Sequence, residues 1–494
     1  MTRSTGLGAS ALIAALLCTT AVRADITPEE VWQGWVDLAQ GFGQTVATAA
    51  SERQGDTLVV SGVAITQDNL GIAASIGLDE VRLRDMGDGR VEVTMSESVP
   101  IRAAGTPEGG EPVDVNGTIT HSGLSIIASG SAADTAYEYN APALAMTMSV
   151  GDGQGKTPVN FTATMNGSTG SYHVVTDGGK HGESSLNAQA VTYSVTGTDP
   201  ESSASFSFDG SVEGLSGTGE FNMPDGVNME NLAAALQAGV RMAGTYGYTS
   251  GTGKSVIEGP QGGSFDFTGG AGTLRFALSS DGLAYGGDSG PMTMSMQMSE
   301  FPVPVDVKMA ESAFDLKMPV ARSDDAQPFG LLIKMVGLEV SEMLWGMLDP
   351  TQQLPRDPAT LIVDVSGDGK LDIDIFDPVQ AETIADQPPG QLNSLTINEV
   401  RVSAVGAELT GSGAATFNNA GLMPVPNGAV DLRLVGANAL MQKLVAMGLL
   451  PEDQMMGAMM MLGLFAVPDG EDTLKSKIEF KEDGSIYANG QQIQ

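Results

Sequence analysis

Alternation of apolar and polar side chains with a period of two is the feature that most constrains the fold of this chain. It extends with few interruptions from about residue 56 to residue 323. Clear examples are 91–95 (VEVTM), 206–209 (FSFD) and 292–298 (MTMSMQM), separated by turns rich in Gly, Asp, Asn and Pro. Successive side chains of a strand point to opposite faces, so the pattern predicts antiparallel sheet with one buried and one solvated face.

Helical signals interrupt this pattern at the N terminus and in the second half of the chain. Thr27 suits an N-cap, Pro28 suits the first helical position, and Glu30 lies three residues after the cap. Further helices are predicted at Met229 to Met242 behind Asn228, at Ala437 to Leu449 and at Glu452 to Leu464.

Residues 329–348 are predicted to form an amphipathic helix. Ile333, Val336 and Val340 recur at spacings of three and four, and Lys334 and Glu339 fall on the opposite arc. A proline-rich connector at 349–358 follows, and strands are predicted again from 361 to 434.

The predicted fold is therefore mainly β with a few helices (α+β). We expect long, twisted antiparallel sheets in two lobes, with short amphipathic helices packed on them. The predicted units are a signal peptide at 1–24, an N-terminal helix with a β-rich lobe at 25–325, and a second part at 326–494. That second part holds the amphipathic helix, the connector, the second β lobe and the C-terminal helices.

The charge of the chain excludes nucleic acid as a partner. It carries 24 Lys+Arg against 60 Asp+Glu, a formal net charge of -36, whereas phosphate backbones are bound by basic surfaces. Residues 1–24 predict a secretory signal peptide, with basic Arg3 followed by an apolar stretch from Ala9 to Leu17. The single cysteine, Cys18, lies inside this segment, so the exported chain would carry no thiol or disulfide. We expect a periplasmic protein of a Gram-negative bacterium.

No later segment is predicted to be a transmembrane span. The most apolar run, 455–467, would reach about 20 Å as a helix, and a bilayer core needs about 30 Å.

Two short motifs resemble active sites but lack the required context. Residues 287–290 (GDSG) match the tetrapeptide around the nucleophile of chymotrypsin-like proteases, and that serine needs a histidine base oriented by a carboxylate. The three histidines are His121, His173 and His181, and none stands in a base-bearing motif. Residues 364–369 imitate the start of a calcium loop, but Ile375 occupies the twelfth position, where Glu is required. We predict no catalytic residue, no metal and no cofactor.

Methionine is the most informative residue type. The chain has 26. Four recur on one face of a predicted strand, Met292, Met294, Met296 and Met298, and Met146 and Met148 recur on one face of another. Three interpretations stay open. Thioethers can capture copper(I), unbranched side chains can line a pliable apolar groove for acyl chains, or the methionines can simply fill the core.

Residues 344–350 (LWGMLDP) and 354–361 (LPRDPATL) resemble the alphaproteobacterial exported family named domain of unknown function 2125. The family has no established catalytic residues, so the resemblance implies none. We interpret Trp345, Asp349, Arg356 and Asp357 as a structural connector, in which Arg356 forms an ion pair between the two aspartates. At the level of the fold, the chain is also similar to envelope proteins that form open β-grooves for lipid.

The sequence therefore predicts a non-enzymatic periplasmic β-protein. Its expected partner is a lipid-like ligand or an envelope protein, bound in a groove lined by Met and aliphatic side chains. The alternative is a carboxylate-dependent periplasmic hydrolase, because acids are abundant and glycosidases need only two. The oligomeric state is left open.

Overall fold

The structure is a computed structural model. It describes residues 25–494 except 42, 70, 107–111, 152–158, 200–201, 230, 260–261, 302, 382–387 and 422. The predicted signal peptide at 1–24 lies outside the described residues. Strands make up 64% of the structure and helices 12%, which confirms the prediction of a mainly β chain with few helices.

The helices are α1 (Pro28–Gly41), α2 (Leu232–Gln237), α3 (Glu342–Leu348), α4 (Pro378–Ala381), α5 (Ala437–Ala446) and α6 (Glu452–Phe465). The strands of the first half are β1 (Thr45–Ala47), β2 (Ala50–Gln54), β3 (Thr57–Asn69), β4 (Ile72–Asp85), β5 (Arg90–Met95), β6 (Ser98–Gly105), β7 (Val113–Ser122), β8 (Ser125–Ser131), β9 (Asp134–Gly151), β10 (Val159–Thr176), β11 (Gly179–Thr198), β12 (Ser205–Pro224), β13 (Arg241–Tyr248) and β14 (Ser250–Ile257). Those of the second half are β15 (Gly263–Gly269), β16 (Gly272–Ser279), β17 (Gly282–Ser289), β18 (Met292–Met298), β19 (Val305–Met309), β20 (Glu311–Met318), β21 (Gln327–Val340), β22 (Ala359–Leu371), β23 (Gly390–Ala404), β24 (Ala407–Asn418), β25 (Val425–Val435), β26 (Val467–Pro468), β27 (Thr473–Phe480), β28 (Ile486–Ala488) and β29 (Gln491–Gln492).

Helix α1 begins where the capping pattern predicts. The Thr27 backbone N–H donates to Glu30 Oε2 at 2.9 Å, and the Glu30 N–H donates to Thr27 Oγ1 at 3.3 Å. This reciprocal pair is a capping box, which satisfies backbone donors that the first helical turn leaves free. Val31 on the buried side of the helix then packs on the sheet, where it is fully buried.

All of these strands join one antiparallel meander. Long strands pair with each other or with two short strands placed end to end: β12, for example, pairs with β13 over one half and with β14 over the other. We call the half that contains β14, β15 and β18 the upper lane and the half that contains β13, β16 and β17 the lower lane. Each strand has its neighbours close in sequence, so the sheet grows by successive hairpins.

A line of glycines divides the two lanes. Gly62, Gly167, Gly214 and Gly337 lie inside long strands with φ of 61°, 60°, 60° and 71°, in the left-handed region that favours glycine. We call this line the crease. At each of these glycines the apolar residues change parity: in β12 they are Phe206, Phe208 and Val212 before Gly214 and Leu215, Phe221 and Met223 after it. A left-handed residue shifts the alternation by one position, as a bulge does, so the apolar side chains stay on one side of the sheet.

This change of parity explains why the predicted amphipathic helix at 329–348 is wrong. Residues 327–340 form strand β21, and only Glu342–Leu348 is helical. The apolar residues Ile333 and Met335 precede Gly337, and Leu338 follows it, so the alternation contains one step of three. A step of three imitates the spacing of a helix.

The predicted helix at 229–242 is also too long. Helix α2 covers only Leu232–Gln237, and its N-cap is Asn231, whose side chain accepts the Ala234 N–H at 3.0 Å, in place of Asn228. Strand β13 already begins at Arg241. The tail helices were predicted at nearly the observed bounds, with α5 ending three residues early and α6 one residue late.

The sheet continues across the predicted domain boundary. The predicted boundary, between residues 325 and 326, lies between β20 and β21, and these two strands pair with each other. The division into two lobes therefore stays a prediction.

The sheet is mostly a single layer. In the described chain, buried hydrophobic residues form one cluster beneath α1 and a smaller one around α2. The accessible surface is 28455 Å², whereas a compact monomer of 50.9 kDa would expose about 17,000 Å². Both faces of the sheet are therefore accessible over much of its length.

Candidate functional site

Cross-strand register places the apolar side chains of the whole sheet on one face. Residues paired directly across neighbouring strands share a face. In the upper lane one such row is Ile119, Met146, Ala163, Tyr193, Gly210, Gly253, Phe267, Met294 and Val307. In the lower lane one row is Tyr137, Tyr172, Ser184, Gly219, Gly244, Phe276, Tyr285, Leu316, Leu331, Val365, Ile397, Gly413, Val430 and Ile478.

The two lanes present these rows to the same side. The cluster beneath α1 contains Val60 from the lower lane and Val63 and Ile65 from the upper lane. We call this continuous surface the apolar face. Among the described strand residues from β9 to β25, the register gives it one charged residue, Lys180, which lies at the rim of the lower lane. Charged residues such as Glu220, Arg275 and Asp315 lie on the opposite, polar face.

All six predicted methionines lie on the apolar face. Met146 and Met148 are on β9, and Met292, Met294, Met296 and Met298 are on β18. The strands β10, β11, β12, β14 and β15 separate the two groups, a distance of about 29 Å at about 4.8 Å per strand. The methionines thus belong to one surface but do not meet in one pocket.

Aromatic rings cover glycines on this face. A Cβ built on Gly244 would lie 2.5 Å from the Phe276 ring, and one on Gly253 would lie 3.5 Å from the Phe208 ring. Glycines thereby give space for rings from neighbouring strands, an arrangement known to stabilise sheets that contain glycine. It accounts for part of the 64 glycines of the chain and leaves a smooth apolar surface.

On β9, β10 and β11 the apolar face is buried beside the crease. Beside the crease, Ala141 and Ser168 are 0% exposed and Ala188 is 4% exposed. Further from it, Met296 is 37% and Ile257 is 50% exposed on the same face. We call the apolar face the trough, the buried strip beside the crease its floor, and the exposed side chains on either side its walls.

Exposed large hydrophobic side chains on the strands concentrate in this trough. Those on the apolar face are Val150, Tyr246, Ile257, Leu274, Tyr285, Met296, Met298, Phe314, Leu331, Ile333 and Val402. In a monomer, apolar patches beyond a few hundred Å² mark binding surfaces. An uncovered apolar face of this length is therefore the leading candidate site in the described chain.

Helix α1 closes the N-terminal end of the trough. Between the helix and the sheet lies a cavity of about 430 Å³, lined among others by Trp35, Leu38, Tyr137 and Tyr172, within the range of ligand pockets of about 300–1,000 Å³. The rings of Trp35, Tyr137, Tyr172 and Phe221 follow one another at centroid distances of 6.5, 6.1 and 6.2 Å. Burial raises the pKa of Tyr137 to about 12, which keeps its hydroxyl neutral.

Backbone hydrogen bonds to Asp349 hold the connector, in place of the predicted ion pair with Arg356. Asp349 is fully buried and accepts the N–H of Gln353 at 3.0 Å and of Leu354 at 2.7 Å. Burial raises the pKa of this carboxyl, but these donors and the Thr351 hydroxyl outweigh burial and hold the pKa below its usual range.

Arg356 does not bridge the two aspartates. It pairs with Glu342 of α3, and its guanidinium lies 5.8 Å from the ring centroid of Trp345. Asp357 is exposed. The predicted partners of Arg356 were therefore wrong, because backbone donors already occupy Asp349.

The protease-like and calcium-like motifs lie in strands. Residues 287–289 end strand β17 and Gly290 follows it, and 364–369 lie inside β22. His181 on β11 is four strand positions from Ser289, about 19 Å at about 4.8 Å each, beyond the reach of a base. Among the described residues, no group of three or more His, Cys, Asp or Glu could hold a metal.

The polar face has a concavity of its own, of about 700 Å³. Glu183 and Glu220 stand directly opposite each other in it, with Cβ atoms about 5 Å apart by strand geometry. Both side chains are exposed, whereas a carboxylic acid that donates a proton at neutral pH needs burial to raise its pKa. The hydrolase alternative stays a prediction.

Sequence reasoning missed the aromatic residues that link the methionines, among them Tyr193, Phe208 and Phe267. It also missed the crease. One signal could have found both: the apolar residues change parity at a glycine within a strand, which shows that the apolar runs on either side belong to one face.

Comparison with known proteins identifies a bacterial family. A family model described as an uncharacterized protein conserved in bacteria (DUF2125) matches residues 227–490. No curated protein and no solved structure matches the chain. Within the described residues, every helix is too short or too polar to cross a membrane.

Proposed function

The chain belongs to the bacterial family of domain of unknown function 2125, and from the geometry of the apolar face we propose that it binds the acyl chains of lipids. One observation carries this proposal: the cross-strand register forms an unbroken apolar surface whose walls are exposed. The proposal is for a non-enzymatic binding protein that acts in the cell envelope after export. The predicted signal peptide is the support for export.

The chemistry of the face favours acyl chains over a protein partner. From β9 to β25 its described strand residues include one charged side chain, Lys180. The face also offers few hydrogen-bonding side chains, and a typical protein interface has about one hydrogen bond per 100–200 Å². Flexible methionine walls can adapt to chains of different length.

Native mass spectrometry after gentle purification, with extraction of bound lipid, tests the proposal. The variant Met294→Glu places a charge on the apolar face, and Thr293→Glu places the same charge on the exposed polar face one residue away. We expect Met294→Glu to lower the amount of fluorescent fatty acid bound per chain, because a carboxylate against an acyl chain loses its hydration. Thr293→Glu should bind like the wild type. The proposal fails if the wild type carries no lipid and ignores the fatty acid.

A further inference from the structure

We propose that the trough is a lipid conduit, which holds several lipids in a file along the sheet and lets them move between its two ends. This inference rests on the proposed function and adds two claims: each chain holds several lipids, and these lipids move along it.

The first observation that supports the conduit is the length of the apolar face. From β3 to β27 the register links eighteen successive strand positions. Helix α1 covers β3, β4, β5 and β8, which leaves fourteen positions from β9 to β27, and at about 4.8 Å each a trough of about 60 Å. One leaflet of a bilayer core is about 15 Å deep, half of about 30 Å. The trough is therefore about four times longer than the acyl region of one lipid, and a single ligand would leave most of it exposed to water.

The second observation is that the apolar lining is continuous from strand to strand. A site for one ligand needs side chains that close it at both ends. Along the described lower-lane row from Phe276 on β16 to Ile478 on β27, each position is apolar or glycine. A lipid would meet the same kind of surface at each strand, so no single place along this row is strongly preferred.

The third observation is that a helix lies at each end of the trough. Helix α1 covers the first strands, and its cavity of about 430 Å³ opens onto the same face through Tyr137 and Tyr172. At the other end, hydrogen bonds hold α6 against the last strands. The carbonyl of its final residue, Phe465, accepts them from Ser476 Oγ at 2.5 Å and Asn489 Nδ2 at 2.9 Å. Between these two helices, α2 covers Met223, Leu278 and Leu283 at the rim of the lower lane. Nearer the crease, Phe314 and Ile333 are 39% exposed, so lipids placed there can shift along the sheet.

The test uses the full exported chain loaded from vesicles of phosphatidylethanolamine and phosphatidylglycerol. Native mass spectrometry counts lipids per chain, and a fluorescent phospholipid reports transfer between donor and acceptor vesicles. The blocking variant, Tyr246→Glu with Met294→Glu, places one charge on the apolar face in each lane. Its control, Thr245→Glu with Thr293→Glu, places the same charges one residue away on the exposed polar face. Circular dichroism shows whether both variants keep the strand content of the wild type.

We expect two or more lipids per wild-type chain, transfer well above background, and a control that matches the wild type. The blocking variant should keep some bound lipid on the remaining parts of the trough but lose transfer. One lipid per chain at saturation, or full transfer by the blocking variant, overturns the conduit and leaves acyl-chain binding intact. A chain that binds no lipid, or that forms lipid-free dimers through its apolar faces, overturns both proposals. If the blocking variant loses its strand content, the lipid count of the wild type decides alone.

Discussion

Replacement of Gly214 by alanine tests whether the crease depends on glycine. Gly214 has φ 60° in the middle of β12, and a Cβ at this position would lie 2.7 Å from Thr249 Oγ1. Thr249, between β13 and β14, donates its hydroxyl to the Glu213 carbonyl at 3.0 Å. The substitution therefore perturbs both the backbone conformation of one strand and a contact to the next.

The expected cost has two parts. A residue with a Cβ costs about 1–2 kcal/mol in the left-handed region. To clear the new methyl group, Thr249 must rotate and lose its hydrogen bond, which contributes about 1 kcal/mol net. Gly214→Ala should therefore destabilise this part of the sheet by about 2–3 kcal/mol. Gly214→Asn should cost less in backbone strain, because asparagine tolerates this conformation better.

Hydrogen exchange of the amides in β11 to β14 measures the effect locally, which suits a long sheet that can open in parts. A loss of about 2–3 kcal/mol corresponds to exchange about 30- to 150-fold faster. The control is Gly251→Ala on β14, where φ is not positive and the nearest atom to a new Cβ is 3.5 Å away. Equal exchange rates in the two alanine variants would refute the role assigned to the crease.

Three further predictions concern α1, the connector and the cavity beneath α1. Thr27→Ala removes the capping box and should destabilise α1 by about 1 kcal/mol, measured as faster exchange of its first-turn amides, with the neighbouring strands unchanged. The pKa of Asp349 is lowered in the folded chain, so its contribution to stability is present above the unfolded pKa of about 3.9 and is lost as pH falls through the folded value. Asp349→Asn should therefore unfold more easily in urea at pH 7, and this difference should shrink in acid; a difference that is constant with pH would contradict the assignment. Tyr137 should ionise only near its pKa of about 12, so ultraviolet titration of wild type against Tyr137→Phe should show one tyrosinate fewer at high pH. Because this folded pKa is raised, stability should fall as pH rises above the unfolded pKa of about 10.

Local signals in the sequence were sufficient for elements whose cause is local. The capping box of α1 depends on Thr27 and Glu30, three residues apart, and it was predicted correctly. The strands around Met292 and Phe206 follow from alternation alone. The segment 329–348 was predicted wrongly because the left-handed Gly337 makes one strand imitate a helix, and a backbone dihedral is not visible in a residue pattern.

The candidate site depended on information that is not local. Met146 and Met294 are far apart in sequence, and only the register through β10, β11, β12, β14 and β15 places them in one row. The partner of Arg356 was missed for a similar reason. Its carboxylate, Glu342, lies in a helix that the sequence had placed within a longer one.

By itself, the sequence determined that this protein would be an antiparallel β-protein with an apolar and a polar face, because side-chain alternation is a property of each strand alone. The tertiary structure decided that these faces join into one trough, of which about 60 Å extends beyond helix α1. Strand order and register depend on pairing between distant segments, and each hairpin carries the register of the previous one to the next. The charge of -36 acquired its place in the same way, since pairing assigned the acids to the polar face and left the apolar face almost without charge.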